Sequence, residues 1–558
     1  MDNDSGDPPG GVEPSPKATL VAAADLHSVP GFRSGAAAGT GSGAVFAHDR
    51  PFYKSLQWSA DGTTVIASTS SNAVLSYVLP ENLLEPPCDE NTPDAIHDAT
   101  STAAPRKTLS HHTIVAQGRL GLPEPALSLA PAPYFNLREP WSQSALTGCR
   151  DLPIHLYPLF PAIDDAGETD TDKPRPPPLA SYPLIKYQTE AYLAPTALLW
   201  SAPGNHFVAG AKNLLALFDV SRTCNEPPVL LVPTIPSTRH IRKGNGVGMR
   251  GTVSALAAQK TNAGDESTGW GGQGLVAAGT WNRWVGLYDL GRAGGDCVAT
   301  WSVAGADGRD NGSLDYSGGG ILQTIWSPCG RYLVVNERRA QRLLVYDVRG
   351  TGALLCCLTG RPADTNQRLS CDVYQSSDSN SGFEVWAGTQ DGLGVVWEDV
   401  GAREGAVEPS WHWRAHESAM GSIAMHSSGS VLATCSGSWT VWACDDESGH
   451  SDSDNSSSSS DCTTDDNDEE NGNDDNDETN DDDDDDDSNA SDDSTESDDT
   501  KNGPGDADNN NGEMRESSDS SGSSSSSEGS ASTNTTKLDG FTALRTSADV
   551  SLKIWSLV

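Results

Sequence analysis

The chain has 558 residues, which is long enough for two or three ordinary domains or for one large closed β architecture, and this excludes a small-protein fold. Its formal net charge is −42, but residues 445–536 contain 33 of the 78 acidic residues and only two of the 36 Lys and Arg. The remaining chain is therefore only mildly acidic, and the total charge does not exclude a nucleic-acid partner.

The first 50 residues are rich in Gly, Ala, Ser, Pro and Asp without a sustained hydrophobic period, which predicts a disordered N-terminal arm. They have neither the basic start nor the apolar centre of a signal peptide, and no stretch of about 18 apolar residues follows. The eleven cysteines include no Cys-x-x-Cys pair, which argues against a disulfide framework and a zinc site. These features predict an unsecreted protein of a reducing compartment.

From residue 51 onward, one pattern recurs along the chain. An apolar strand ends in an aromatic residue, a turn containing Asp or Gly follows, and two further strands with alternating apolar residues complete the unit. The clear copies occupy residues 56–78, 197–219 and 321–347, looser copies occupy residues 252–289, 368–398 and 421–436, and a seventh must lie within residues 134–158. Seven units result.

The third strand of several units ends in an aromatic residue followed by an acid, as in Tyr346-Asp347 and Trp397-Glu398. This ending is typical of the WD40 repeat, in which each unit is one four-stranded blade. The aromatic residues are expected to pack between blades and not to contact a ligand. The chain is therefore predicted to be all-β, a seven-bladed WD40 β-propeller with long disordered insertions.

The propeller is predicted to span residues 51–444, with disordered loops at about 80–129 and 161–178 that are rich in Pro, Ala, Thr and Asp. Residues 445–540 are an insertion of Ser and acidic residues that cannot bury enough apolar surface to fold. A last strand within residues 541–558 is expected to return to the seventh blade, because a propeller closes without an open sheet edge.

Basic residues cluster in segments that are expected to be loops. Loops on one face of a propeller converge around the central channel, so separate clusters can form one phosphate-binding surface. Two nearby tryptophans are candidates for base stacking or cation–π contact. The candidate RNA-binding residues are Arg239, Arg242, Lys243, Arg250, Trp281, Arg283, Trp284, Arg338, Arg339, Arg342, Arg361, Asn366, Gln367 and Arg368.

For each of these arginines, the alternative is a solvated loop charge or a structural hydrogen bond. Asn366, Gln367 and Arg368 are equally suited to joining two blades through bonds from side chain to backbone. Replacing Arg368 by alanine separates the two roles. Lost stability would indicate a structural role, and lost RNA binding at unchanged stability would indicate a contact.

No catalytic motif is present, because the histidines lack the HExxH spacing and neither GxSxG nor GxxxxGK[ST] occurs. Residues 244–248, Gly-Asn-Gly-Val-Gly, are similar to a dinucleotide-binding loop but neither follow a predicted strand nor open a helix. The sequence therefore predicts no enzyme activity, no cofactor and no metal site.

The chain resembles the telomerase Cajal body protein family, WD-repeat proteins that bind small Cajal-body and telomerase RNAs, and their fungal relatives linked to splicing. The resemblance lies in the first unit ending in Leu-Pro-Glu, the strand at 152–157, the tetrapeptide Thr-Asn-Gln-Arg at 365–368, and the stretch 433–438 before the acidic interruption. It implies a monomeric nuclear scaffold without a membrane partner. Its partners would be small nuclear or Cajal-body-type RNA, telomerase RNA included, and proteins of the same ribonucleoprotein.

Two alternatives remain open at this point. The same face of a propeller also binds peptides, as in a ubiquitin-ligase substrate receptor or a G-protein-β-like module, and such an adaptor could also reside in the cytoplasm. The acidic insertion is either a solubilising spacer, a ligand for basic proteins, or a competitor of RNA at the basic loops. If it competes, deleting residues 445–536 should raise the affinity for unrelated RNA at low salt.

Overall fold

The computed structural model describes residues 18–26, 29, 51–85, 111–161, 176–186, 188–223, 226–235, 249–259, 274–291, 294–304, 318–375, 382–443, 542–546 and 549–557. Residues 86–110 of the loop predicted at about 80–129, residues 162–175 of the loop predicted at 161–178, the insertion 445–540, and the candidates Arg239, Arg242 and Lys243 lie outside the described residues. In the described part, no helix has the length and hydrophobicity needed to span a bilayer.

Nearly all regular structure is β-strand. The first half of the described chain contains β1 (Ala18–Asp25), β2 (Tyr53–Trp58), β3 (Thr64–Thr69), β4 (Ala73–Val78), β5 (His112–Thr113), β6 (Gly118–Gly121), β7 (Ser128–Pro131), β8 (Ser144–Gly148), β9 (Ile154–Pro158), β10 (Ala180–Tyr182), β11 (Ala197–Trp200), β12 (His206–Ala211), β13 (Leu214–Asp219), β14 (Leu230–Pro233), β15 (Val253–Ala258) and β16 (Val276–Thr280). The second half contains β17 (Trp284–Asp289), β18 (Asp296–Ser302), β19 (Ile321–Trp326), β20 (Tyr332–Glu337), β21 (Leu343–Asp347), β22 (Ala353–Leu358), β23 (Cys371–Tyr374), β24 (Glu384–Gly388), β25 (Leu393–Trp397), β26 (Gly405–Val407), β27 (Trp411–Arg414), β28 (Met420–Met425), β29 (Val431–Ser436), β30 (Trp439–Ala443), β31 (Thr542–Thr546) and β32 (Ser551–Leu557). Two 3-10 turns occupy Pro140–Ser142 and Val400–Ala402.

Seven sheets form the blades of a propeller, which confirms the predicted fold class. From the centre outward, blades 1 to 7 are β2-β3-β4-β6, β7-β8-β9-β10, β11-β12-β13-β14, β15-β16-β17-β18, β19-β20-β21-β22-β26, β23-β24-β25-β27 and β28-β29-β32-β1-β5. The innermost strands pack beside one another in the order β7, β11, β15, β19, β23, β28 and β2. β30 and β31 form a separate antiparallel pair.

The turn between the first and second strands shows why one pattern recurs. Gly62 has a φ of +72°, and glycines at the corresponding turns of blades 5 and 7, Gly330 and Gly429, have φ values of +68° and +74°. At Gly62, a Cβ atom would also lie 2.1 Å from Nε2 of His426 in the neighbouring blade. Only glycine combines this left-handed backbone with such a close approach.

The aromatic residues that end the third strands lie in the core, as predicted. Phe218, Tyr288, Tyr346 and Trp397 are each at most 2% exposed and pack within clusters that join adjacent blades. Burial of such large apolar side chains is the main favourable contribution to folding, at roughly 25 cal/mol per Å². These residues therefore stabilise the fold, and the candidate functional residues lie in the loops.

The seventh blade is closed by both ends of the described chain. β32 pairs with β29 on one side and with β1 on the other. Part of the predicted disordered arm is therefore a strand. The segment Ala18–Asp25 is rich in alanine and has weak β propensity. It pairs with a strand more than 500 residues later, so the local sequence does not predict that it is a strand.

A second departure concerns the loop predicted at 80–129. In the described part, β6 is the fourth strand of blade 1, and β7 begins blade 2 at Ser128. Both strands have only four residues and contain glycine or proline, which weakens the alternating pattern that sequence reading relies on. Their burial against blade neighbours supplies the stability that local propensity does not.

A buried hydrogen-bond network fixes the closed blade. Nε2 of His416 lies 2.8 Å from Oγ1 of Thr434, which also accepts a bond of 2.8 Å from the Trp555 indole. Nδ1 of His416 faces the carboxylate of Asp549 at 3.5 Å, and the same carboxylate accepts a bond from the backbone N–H of Glu417. The network joins the entrance of the blade to the strand that returns after the insertion.

Candidate nucleic-acid interface

Antiparallel pairing places particular loops on one face of the ring. In blade 5, Ile321 at the start of the first strand pairs with Glu337 at the end of the second, and Leu343 at the start of the third pairs with Asn336 and Leu358. The connections between blades and the loops from second to third strands therefore share one face, called the upper face here. The turns from first to second strands and the loops from third to fourth strands form the lower face.

Every described candidate for RNA binding lies in an upper-face connection or at its edge. The described candidates are Arg250, Trp281, Arg283, Trp284, Arg338, Arg339, Arg342, Arg361, Asn366, Gln367 and Arg368. The side chains of this set nevertheless differ sharply in their surroundings.

Arg361 is a structural residue. It is 1% exposed, and its guanidinium donates to the carbonyl of Gly388, to Oδ1 of Asn336 and to the carbonyl of Leu369, each at 2.9 Å. Burial lowers its pKa to about 10, a value that still keeps it charged at neutral pH. Because its guanidinium is buried and donates to groups of blades 5 and 6, Arg361 is not accessible to a phosphate at the surface.

Arg283 and Trp284 are also held within the protein. Arg283 donates to both carboxylate oxygens of Glu337, with Nε to Oε1 at 2.6 Å and Nη2 to Oε2 at 3.2 Å. Its side chain is 16% exposed, and that of Glu337 is 1% exposed. Trp284 is half-buried and packs against the core between blades 3 and 4. Arg342 is 9% exposed and lies close enough to Tyr346 to lower the pKa of that phenol, which burial raises.

Two further candidates join neighbouring connections. Nε2 of Gln367 donates to the carbonyl of Gly437 at 2.6 Å and so ties the entrance of blade 6 to a loop of blade 7. Nε of Arg339 donates to Oδ1 of Asp364 at 3.0 Å in an ion pair with both side chains more than half exposed. Gln367 therefore fits the structural alternative, whereas the exposed Arg339 pair is weak enough to open to a stronger anion.

The remaining candidates are accessible. Trp281 is 52% exposed, and the guanidinium carbon of Arg338 lies 5.8 Å from the centre of its ring. The backbone of Gly320 supports this pair, since a Cβ at Gly320 would come within 2.6 Å of the Trp281 carbonyl oxygen. Arg250 is exposed, and its side chain has no hydrogen bond or ion pair to any described residue.

Arg368, Arg338 and Lys54 form a basic cluster at the upper end of the innermost strands. The pKa of Arg368 is lowered by the surrounding protein and further by Arg338, and the pKa of Lys54 is lowered by burial and further by Arg368. The Arg368 side chain is nevertheless exposed to solvent. Arg368 repels both Arg338 and Lys54. None of the three has an ion pair with a described carboxylate, and Nζ of Lys54 donates to the carbonyl of Ala126 at 3.4 Å.

Comparison with known proteins gives distant relatives. No protein-family model matches the chain. Telomerase Cajal body protein 1 of Bos taurus is 24% identical over 387 residues, which cover 69% of this chain and 58% of that protein. The Homo sapiens protein is 22% identical over 387 residues, covering 69% of this chain and 57% of its own length. The resemblance to the telomerase Cajal body proteins is confirmed.

The chain thus spans less than three fifths of the length of these Cajal body proteins. A fungal relative is also similar, the guanine nucleotide-binding protein negative regulator 1 of Schizosaccharomyces pombe. It is 25% identical over 354 residues, which cover 62% of this chain and 71% of that protein. The chain is a WD propeller scaffold related to both kinds of protein.

Sequence reasoning missed the half-buried Lys54 and two exposed cations of the upper face, Arg150 and Lys212. Lys54 lies inside β2, where the alternating pattern assigns it to a strand, and its proximity to Arg368 depends on two blades that are distant in sequence. Arg150 and Lys212 each lie in a loop from second to third strand and stand alone in sequence. Their positions follow only once the repeats are aligned blade by blade.

Proposed function

We propose that the chain is a non-catalytic propeller scaffold that binds small nuclear or Cajal-body-type RNA on its upper face. The observation that carries this proposal is the basic cluster of Lys54, Arg338 and Arg368, which form no ion pair with a described carboxylate and lie beside the exposed ring of Trp281. Clustered cations attract phosphates, and an exposed indole offers a stacking surface for an unpaired base. Single-stranded segments and loops of RNA present both groups together.

The names of the Cajal body relatives support the nuclear setting. The scaffold would act in the nucleus as a monomer, bring RNA together with ribonucleoprotein proteins, and support their assembly, their localisation or pre-mRNA splicing. Telomerase RNA is one candidate among the small nuclear RNAs, because the Cajal body relatives carry telomerase in their names. The basic cluster and the exposed indole constrain only the chemistry of the ligand, which must offer a phosphate backbone with accessible bases.

The test is crosslinking in the native cells, purification of the tagged full chain, and sequencing of the bound RNA. The variant is the double substitution Arg338→Ala and Arg368→Ala, and the matched control is Arg331→Ala, an exposed arginine on the lower face of the same blade. We expect small nuclear or telomerase RNAs to be enriched with the wild-type chain and the control, and lost with the double variant. Equal background RNA in all three samples would contradict the proposal.

A general protein adaptor is the second candidate. The observation in its favour is the name of the fission-yeast relative, which describes a negative regulator of a guanine nucleotide-binding protein. The same purification separates the two. Enrichment of guanine nucleotide-binding proteins or ubiquitin-ligase subunits, without specific RNA and without an effect of the double substitution, would favour the adaptor.

A further inference from the structure

The lower face carries a depression of about 770 Å³ where blades 7, 1 and 2 meet. Its walls are the turns and loops 59–63, 79–85, 136–138 and 426–431, which come from all three blades. The volume lies within the roughly 300–1,000 Å³ that is usual for ligand-binding pockets. None of the described candidates for RNA binding lines it.

The walls are held by hydrogen bonds between blades. The indole N–H of Trp58 donates to the carbonyl of Ala424 at 2.9 Å, and its ring meets the ring of His426 edge to face at 4.9 Å. Oδ2 of Asp61 accepts a bond of 2.7 Å from the backbone N–H of Leu137. Because each wall is bonded to its neighbour, the depression is formed before any ligand arrives, which reduces the entropic cost of binding.

The surface of the depression is apolar with an acidic rim. Leu84 is 58% exposed and Leu137 is half-buried, so both offer apolar area to a ligand. Glu81 and Glu85 are exposed on the rim, and the other ionisable lining residues are Asp61, Arg138 and His426. This combination favours an apolar side chain with positive charges beside it, and it repels a polyanion.

An exposed tryptophan lies on the same face of the propeller, outside the lining of the depression. Trp141 lies in the connection between β7 and β8 that also supplies Leu137, and it is 70% exposed. Its ring stacks on Tyr134 with the ring centres 5.8 Å apart, which holds the indole in place at the surface. Rigid, exposed tryptophans are among the residues that contribute most to protein–protein affinity.

We propose that this depression docks a short segment of a partner protein that carries a bulky apolar side chain flanked by Lys or Arg. The apolar side chain would enter between Leu84 and Leu137, and its basic neighbours would face Glu81 and Glu85. The site lies on the face opposite the basic cluster. It therefore goes beyond the proposed RNA function, and a protein and an RNA can be bound at the same time.

The test uses fluorescein-labelled peptides of 12 residues, each with a central Phe or Ser flanked by Lys, Ser or Glu, titrated into the full chain with anisotropy as the readout. The variants are Leu84→Ser with Leu137→Ser, and Glu81→Gln with Glu85→Gln. The matched controls are Leu231→Ser, a leucine on β14 that is 49% exposed, and Glu190→Gln, an exposed acid of the upper face. All variants keep the acidic insertion, so its attraction for lysine is the same in each.

We expect the Lys-flanked Phe peptide to bind most tightly and the double leucine variant to weaken it roughly tenfold, since two apolar contacts are lost. The double glutamine variant should weaken it less, and the controls should leave it unchanged. Equal affinity in the leucine variant and the wild type, equal affinity for the Glu-flanked peptide, or no binding of any Phe peptide would overturn the proposal. Displacement of the peptide by a single-stranded RNA of ten nucleotides would also overturn it. If Leu137→Ser disturbs folding, Leu84→Ser alone takes its place, with a smaller expected loss of affinity.

Discussion

The two ends of the connection between blades 5 and 6 use arginine in opposite ways. Arg361, at one end, is buried and donates to three acceptors in two blades, whereas Arg368, at the other, is exposed and faces Arg338 and Lys54. The two residues are seven positions apart and have the same chemistry. What separates them is whether the protein itself supplies the acceptors, and an arginine without acceptors is available to a phosphate.

The largest expected effect comes from the buried arginine. Arg361→Ala removes three hydrogen bonds, leaves the acceptors of Gly388, Asn336 and Leu369 buried without that donor, and opens a cavity. We expect the free energy of unfolding to fall by about 3–5 kcal/mol. Chemical denaturation of the full chain measures it.

Arg368→Ala is the matched variant, because its side chain forms no bond to a described residue and should change stability by less than about 0.5 kcal/mol. If both substitutions reduced stability equally, Arg368 would have a structural role. The distinction between the two ends of the connection would then be wrong.

A second buried ionisable group extends the comparison to blade 7. Burial lowers the pKa of His416, and although burial alone would raise the pKa of Asp549, hydrogen bonds from His416, Ser551 and the Glu417 backbone hold it well below its usual range. The unfolded chain therefore binds more protons than the folded one as the pH falls. Stability should decline below about pH 6.5, where free histidine titrates, and again below about pH 4, where free aspartate titrates.

His416→Asn should remove the first part of this decline, so that the free energy of unfolding changes less between pH 7 and pH 5 than in the wild type. The exposed His412 provides the control, since His412→Asn should leave the pH dependence as in the wild type. Denaturation curves at several pH values measure the difference. An unchanged decline in His416→Asn would assign it to other groups.

The third effect concerns the exposed ring of the upper face. Trp281→Ala should weaken the binding of single-stranded RNA roughly tenfold, because stacking of one base on an aromatic ring is worth about 1–3 kcal/mol. Trp141→Ala is the control, an even more exposed tryptophan on the opposite face. Equal losses in both variants, measured by filter binding at one salt concentration, would show that RNA does not select the upper face.

Much of the fold could be predicted because its signals are local. Alternating apolar residues, aromatic strand ends and turn glycines recur within each blade, so seven units can be counted from the sequence. The exceptions have non-local causes. β1 lies in an alanine-rich segment and is stabilised by β32, and β6 and β7 are too short to show a period.

The sequence predicts on which face the candidate residues lie, but it does not predict which of their side chains are bonded to other protein groups. The basic loops share the upper face because the topology of a repeat places them there. Whether a given arginine is free depends on partners far along the chain, such as Glu337, which lies 54 residues after Arg283. Lys54 shows the opposite error, because its place in the alternating pattern of a strand gives no sign of a functional role. Its proximity to Arg368 arises only in the assembled ring.

The smallest expected effect returns to the exposed end of the connection. Arg368→Ala should weaken RNA binding only modestly at physiological salt, because one phosphate contact among several is lost. Its signature is the salt dependence. The slope of log K against log salt for single-stranded RNA should become shallower by about 0.7, the contribution of one neutralised phosphate. Arg331→Ala, on the lower face, should leave the slope unchanged. A weaker affinity with an unaltered slope would mean that Arg368 positions other residues and does not itself meet the phosphate backbone, so that the free arginine would resemble the buried one after all.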